Sequence, residues 1–162
     1  MSVGSRNLLC NRSGSLVLLV QAASDPTLAE WETFLDATSK AMAENGGKCR
    51  VLVITAGGKP DSELRARSLE RGWRDNPASP VVVITEDRLA LGVITVFSWF
   101  GLNVRAFKEK QLEAAYARLE LTSVEQRWVA VERRILEQRL KARAAVDYLK
   151  RHFAKLPAGA TA

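Results

Sequence analysis

Apolar positions along the chain change their period several times, and each change marks a new element. "NLLCN" and "SLVLLVQAA" flank "RSGS", the pattern of a hairpin with Gly14 at its turn. The spacing then becomes helical in "DPTLAEWETFLDATSKAMAENGG", where Leu28, Trp31, Leu35 and Met42 form an apolar stripe. Asp25 stands as the expected N-cap with Pro26 at the first helical position, and Gly46 and Gly47 end the helix. "CRVLVITA" is apolar on both faces, as expected of a central strand in a covered sheet. "PDSELRARSLERGW" predicts a helix and "SPVVVITED" a second buried strand. "RLALGVITVFSWFG" is apolar on most sides, and its length and the surrounding alternation assign it to a helix. "LNVRAF" supplies a last strand and "KEKQLEAAYARLEL" a short amphipathic helix. The order of elements predicts an α/β fold: a mixed sheet flanked by helices, with right-handed crossovers between parallel neighbours.

From Thr122 to about Leu156 one uninterrupted helical pattern follows, with Ser123 as expected cap and Gln126 at the capping-box position. Val124, Trp128, Val131, Ile135, Gln138, Ala142, Ala145, Leu149 and Phe153 recur at alternating four- and three-residue steps, a heptad seam with one polar position. The bulky first half is expected to pack on the domain. Glu137 with Lys141 and Asp147 with Arg151 are spaced as supporting ion pairs. At about 1.5 Å per residue such a helix is about 50 Å long, enough to outreach the domain, and its free portion suits a second copy of the chain. This divides the chain into an α/β domain over residues 1–121, a basic amphipathic helix over 122–157 and a disordered tail over 158–162.

With 162 residues, of which 47% are hydrophobic, the chain can bury the core of one domain. No apolar run reaches membrane-spanning length and the N-terminus lacks a signal-peptide pattern, so a cytoplasmic protein is expected. Cys10 and Cys49 belong to no C-x-x-C pair or Cys/His cluster and are read as reduced, buried thiols, with no metal site implied. The net charge of +6 is uneven: residues 1–47 contribute −2, residues 48–121 +3 and residues 122–162 +5. A basic helix carrying Arg133, Arg134, Arg139, Lys141, Arg143, Lys150 and Arg151 opens a reading in which it binds nucleic acid or an anionic surface. The plainer reading is a solvated helix face, since no aromatic-interleaved patch accompanies the charge.

Strand "RVLVITAGG", strand "PVVVIT" and "LGVITVFSWFGLNVRAF", followed by a helix with "LEAAYARLEL", resemble the small bacterial STAS/SEC14-like family, related in architecture to anti-sigma-factor antagonists. The likeness covers roughly residues 14–121. It implies a compact STAS-like α/β module that works through protein contacts or a small bound ligand, usually without catalysis. In anti-sigma-factor antagonists the corresponding loop carries a phosphorylatable serine within Asp-Ser-Ser/Thr-Gly. Here "TAGGKPDSEL" places Ser62 after Asp61, with Glu63 where the family has a small hydroxyl residue.

That loop, with Gly57, Gly58, Lys59, Asp61 and Ser62, is the candidate regulatory or ligand loop. Its glycines read first as a tight exit from a buried strand, with Asp61 or Ser62 capping the next helix. A regulatory contact comes second. A nucleotide cradle comes third, because Pro60 replaces the magnesium-binding hydroxyl of a Walker A loop and no G-x-G-x-x-G is present; no cofactor is expected. Glu86 and Asp87 lie at a strand end, where paired acids can hold a cation but more often cap the next helix. His152 is remote from any nucleophile, and no catalytic residues are assigned. An alternative is a small hydrolase or nucleotide-binding protein using Gly57, Gly58, Glu86 and Asp87. Val93, Val96, Phe97, Trp99 and Phe100 crowd the apolar segment 89–101, more than one helix face can hold, and together with Trp128, Val131, Ile135, Ala142, Ala145, Leu149 and Phe153 form the candidate interface. The expectation is a non-enzymatic regulatory or interaction module, partnered by itself or by another bacterial regulatory protein.

Overall fold

A computed structural model describes residues 7–88 and 102–154. Five strands form one sheet in simple sequential order: β1 (Leu8–Ser13), β2 (Leu16–Gln21), β3 (Arg50–Thr55), β4 (Val81–Ile84) and β5 (Val104–Phe107). β1 and β2 form an antiparallel hairpin in which Leu8 faces Gln21 and Ser13 faces Leu16, while β2 to β5 run parallel. The fold is therefore the α/β class with a mixed sheet that the alternation predicts. The expected helix over 89–101, with Val93, Val96, Phe97, Trp99 and Phe100, and the tail over 158–162 lie outside the described residues.

α1 (Leu28–Glu44) and α2 (Ser62–Ser68) cover one face of the sheet, where Val17, Leu19, Val51, Val53 and Val83 meet Trp31, Phe34, Leu35, Met42 and Leu64. Both crossovers lie on the same side, as connections of one hand require when strands are laid down in one direction. The other face carries Leu16, Leu18, Val20, Leu52, Ile54, Val82 and Ile84, covered by α3 (Leu112–Arg118) and by α4 (Ser123–Phe153) through Val129, Leu136 and Leu140. Burial on two sides explains why β2 and β3 read as unbroken apolar runs rather than as alternating ones.

Several local boundaries differ from the sequence expectation. Thr27, not Asp25, caps α1: its hydroxyl accepts from the Glu30 N–H, and the Glu30 carboxylate accepts from the Thr27 N–H at 2.9 Å. Asp25 is used elsewhere, accepting the Lys59 N–H at 3.1 Å and so joining two loops, and Pro26 precedes the helix. Thr122, not Ser123, caps α4, with Glu125 in place of Gln126 closing the box. In both helices the pair that wins is the hydroxyl followed three residues later by glutamate, because it satisfies two orphan N–H groups at once. The α2 pattern also ends early, in a turn over Leu69–Trp73 that breaks at Gly72.

The largest difference concerns α4. The residues it buries are Val129, Leu136 and Leu140, whereas Val131 and Val124 of the heptad seam are 61% and 67% exposed. The helix carries two apolar stripes about half a turn apart, and the sheet takes the one the seam omits. An anchor at the first turn decides which. Arg50, at the start of β3, donates to both Glu125 carboxylate oxygens, to Ser15 Oγ and to the Leu119 carbonyl, so Glu125 must face the sheet and Val129 follows one turn later. The expected supporting pairs are likewise reversed in direction: Glu137 accepts from Arg133 and Asp147 pairs with Arg143.

Candidate functional site

The carboxyl ends of β2, β3 and β4 meet at one edge of the sheet, the place where open α/β folds gather their functional groups. The loops there are tightly joined. Thr55 Oγ1 accepts from the Gly57 N–H at 3.1 Å and donates to the Gly58 carbonyl at 2.7 Å, folding the chain back immediately after β3. Gly57 has φ +134°, which side-chain-bearing residues rarely adopt, and a Cβ there would come within 2.8 Å of an Asp87 carboxylate oxygen. A Cβ on Gly58 would collide with the carbonyl oxygens of Ser24 and Ala22, the latter at 2.6 Å, and the Gly58 N–H donates to that same Ala22 carbonyl. The glycine pair thus lets the β3–α2 loop press against the β2–α1 loop.

Downstream, Asp61 caps α2, accepting the Leu64 N–H at 2.9 Å. Ser62 is the exposed first residue of that helix. Two of the basic side chains that follow it are engaged: Arg65 donates to the Pro60 carbonyl, and Arg67 pairs with Glu32. The turn-and-cap reading accounts for Gly57, Gly58 and Asp61 with these contacts alone.

At the same edge a cleft of about 510 Å³ opens between the strand ends and α4, lined by Thr55, Thr85, Glu86, Asp87, Arg133 and Lys141 among others. Its charges are arranged as a clasp. Arg133 reaches down from α4 to grip Glu109 at 2.6 and 2.9 Å, and its Nε donates to Glu137 at 2.9 Å. The Glu109 hydrogen bond is the main reason the guanidinium is held well above its already high pKa. Glu86 accepts the N–H of Glu109 at 3.1 Å, and the Asp87 N–H donates to Thr85 Oγ1 at 3.0 Å. The sequence places Glu86 and Asp87 at a strand end, and the structure adds that Glu86 ties that end to the first N–H of the short 3₁₀ turn Glu109–Gln111. Among the described residues no group of three His, Cys, Asp or Glu side chains is placed to hold a metal ion. His152 lies on the exposed part of α4, stacked on Tyr148 at 6.0 Å, remote in sequence from the loops.

The second feature is the outer face of α4. Val131, Ile135, Ala142, Ala145, Leu149 and Phe153 are exposed along one side, opposite the buried stripe, while Trp128 is half-buried against the core. No residue of the helix from Lys141 onward is buried. Arg134, Arg139, Lys141, Lys150 and Arg151 are exposed, but Arg133 and Arg143 are half-buried on the domain side, which removes Arg133 from any free basic surface. The two thiols are free, with burial pushing Cys10 up to about 11 and Cys49 to about 12.

The clasp and the anchor escape a reading by motif. Arg50 interrupts an apolar strand start, and Glu125 completes the spacing Thr-x-x-Glu. Both signals are present in the sequence, but their pairing across 75 positions is not. No known family model, curated protein or solved structure matches the chain. No helix among the described residues is long and apolar enough to cross a membrane.

Proposed function

We propose that this protein is a non-enzymatic interaction module that associates with a second copy of itself through the outer stripe of α4. The observation that carries the reading is that Val131, Ile135, Ala142, Ala145 and Leu149 lie exposed at heptad spacing on the side of α4 that the sheet does not use. A helix whose only task was to cover the sheet would have its polar face there. The stripe spans most of a helix about 46 Å long, its alanines allow close approach, and its length suits a two-stranded seam. The resemblance to STAS/SEC14-like proteins agrees with the same reading, since it implies a bacterial module that works through protein contacts or a small bound ligand, usually without catalysis, with another regulatory protein as the further class of partner.

Sedimentation velocity of the full chain tests this. The expected species at high micromolar concentration has twice the chain mass, persists in high salt, and becomes monomeric in Ile135→Glu with unchanged circular dichroism. A wild-type monomer throughout sinks the reading. If instead the chain binds anionic vesicles or nucleic acid with a steep loss as salt rises, the basic flank of α4, with Arg134, Arg139 and Lys141, is the functional surface.

A further inference from the structure

A second cavity, of about 80 Å³, lies on the opposite face of the sheet from α4, beneath α1 and beside the candidate loop. Its walls are almost wholly apolar, formed chiefly by Trp31, Phe34, Trp73, Val83 and Leu102, and Gly58, Lys59 and Pro60 line one side. At the end of β2, Gln21 lines the same cavity. It is only 4% exposed, and its Nε2 is buried without a hydrogen-bond partner. Strand alternation puts Gln21 on this face, since its partner Leu8 and its neighbour Leu19 both belong to the core under α1.

An unpaired buried amide is costly and calls for an occupant. A water is poorly suited, because a buried water needs two to four polar partners. The nearby hydroxyls are already engaged: Thr55 Oγ1 with Gly57 and Gly58, and Ser68 Oγ with the Trp31 indole N–H at 2.9 Å and the Leu64 carbonyl at 2.9 Å. Besides the Gln21 amide, a water would find only the second lone pairs of these hydroxyls, within walls that are otherwise almost wholly apolar. An apolar chain ending in a carbonyl oxygen satisfies both parts of the site at once, accepting from Nε2 and filling the space between the aromatic rings. The volume is below the roughly 150 Å³ of a cavity that admits benzene, which limits the buried part to a short aliphatic chain.

We propose that this cavity binds a short aliphatic carboxylate or carboxamide whose carbonyl oxygen accepts a hydrogen bond from Gln21 Nε2, against a wall contributed by the Gly58–Pro60 loop. The site is independent of the α4 seam, so it stands or falls separately from self-association.

The test is a two-dimensional NMR titration of the full-length protein, following the side-chain amide of Gln21 against acetate, propionate, butyrate and butyramide. The expected result is a saturable shift of that amide with affinity rising about fourfold for each added methylene, as burial of each CH₂ in an apolar site predicts. Gln21→Met, similar in size and without the donor, is expected to lose about tenfold in affinity for the best ligand. Butyrate binding more tightly than butyramide assigns a carboxylate, and the reverse assigns a carboxamide. A Gln21 amide that none of the four ligands moves, leaving a water as occupant, overturns the proposal. So does an affinity that is flat with chain length, or one that Gln21→Met leaves unchanged.

Discussion

Arg50→Met removes the anchor that orients α4, and its cost can be worked from the contacts. The guanidinium donates to Glu125 at 3.1 Å through Nη1 and again through Nη2, to Ser15 Oγ at 3.1 and 3.2 Å, and to the Leu119 carbonyl at 3.2 Å. Exposed ion pairs contribute under about 1 kcal/mol, while breaking a buried one costs about 3–5 kcal/mol. With the two side chains 22% and 20% exposed, this pair falls between those limits, and the lost bonds to Ser15 and Leu119 add to it. A destabilisation of about 2–3 kcal/mol is expected, equivalent to a fall in Tm of about 4–12 °C for a chain of this length. The effect also has a pH signature. The hydrogen bond from Arg50 is the largest influence holding the Glu125 carboxyl below its ordinary value of 4.5. A carboxyl with a depressed folded-state pKa stabilises fully above its unfolded value, and that stability is lost as pH falls through the folded value. The gap between wild type and Arg50→Met should therefore be widest at neutral pH and narrow on acidification below 4.5, leaving the share due to Ser15 and Leu119. Urea denaturation followed by far-UV circular dichroism, at about pH 7 and about pH 3, measures both gaps. A neutral-pH gap under about 0.5 kcal/mol, the range of an ordinary surface substitution, refutes the anchor, as does a gap that acid leaves untouched.

Two further outcomes follow from the loops and the core. Gly58→Ala puts a methyl group against two backbone carbonyls that cannot move independently, so a loss of about 3 kcal/mol or more is expected, whereas Gly14→Ala, left-handed at φ +57° but with nothing within 4 Å of the added methyl, should cost about 1–2 kcal/mol; parallel urea titrations compare them, and equal costs would contradict the loop-on-loop packing. Cys49 and Cys10, pushed to about 12 and about 11 by burial, should resist alkylation by iodoacetamide at about pH 8 in the folded protein and react in denaturant; rapid stoichiometric labelling of the native chain, read by mass spectrometry, would show that they are not shielded.

How far the sequence could be read differs from feature to feature. The hairpin at Gly14, the buried strands "RVLVIT" and "VVVI", and the long last helix are legible because each depends on spacing within one short window. The glycine turn was legible in kind, with Asp61 as cap, although the partner that requires Gly58, the backbone of residues 22–24, is not visible in any window. Asp25 fits an N-cap by spacing alone, but its carboxylate accepts the Lys59 N–H instead, and Thr27 with Glu30 makes the better cap.

What the sequence determined by itself is the α/β class, the order of its elements and the presence of a helix with more apolar surface than one contact needs, since local propensity and periodicity are properties of neighbouring residues. Which apolar stripe of α4 faces the sheet was decided only in three dimensions. Both stripes have helical spacing, and the choice rests on Arg50 reaching Glu125 and on Arg133 reaching Glu109, contacts between residues far apart in the chain. The same holds for Gln21, an ordinary polar residue at a strand end in the sequence, which becomes an unpaired donor in an apolar cavity only when α1 and the loop after β3 close over it, because burial is a property of the assembled layers and not of any one segment.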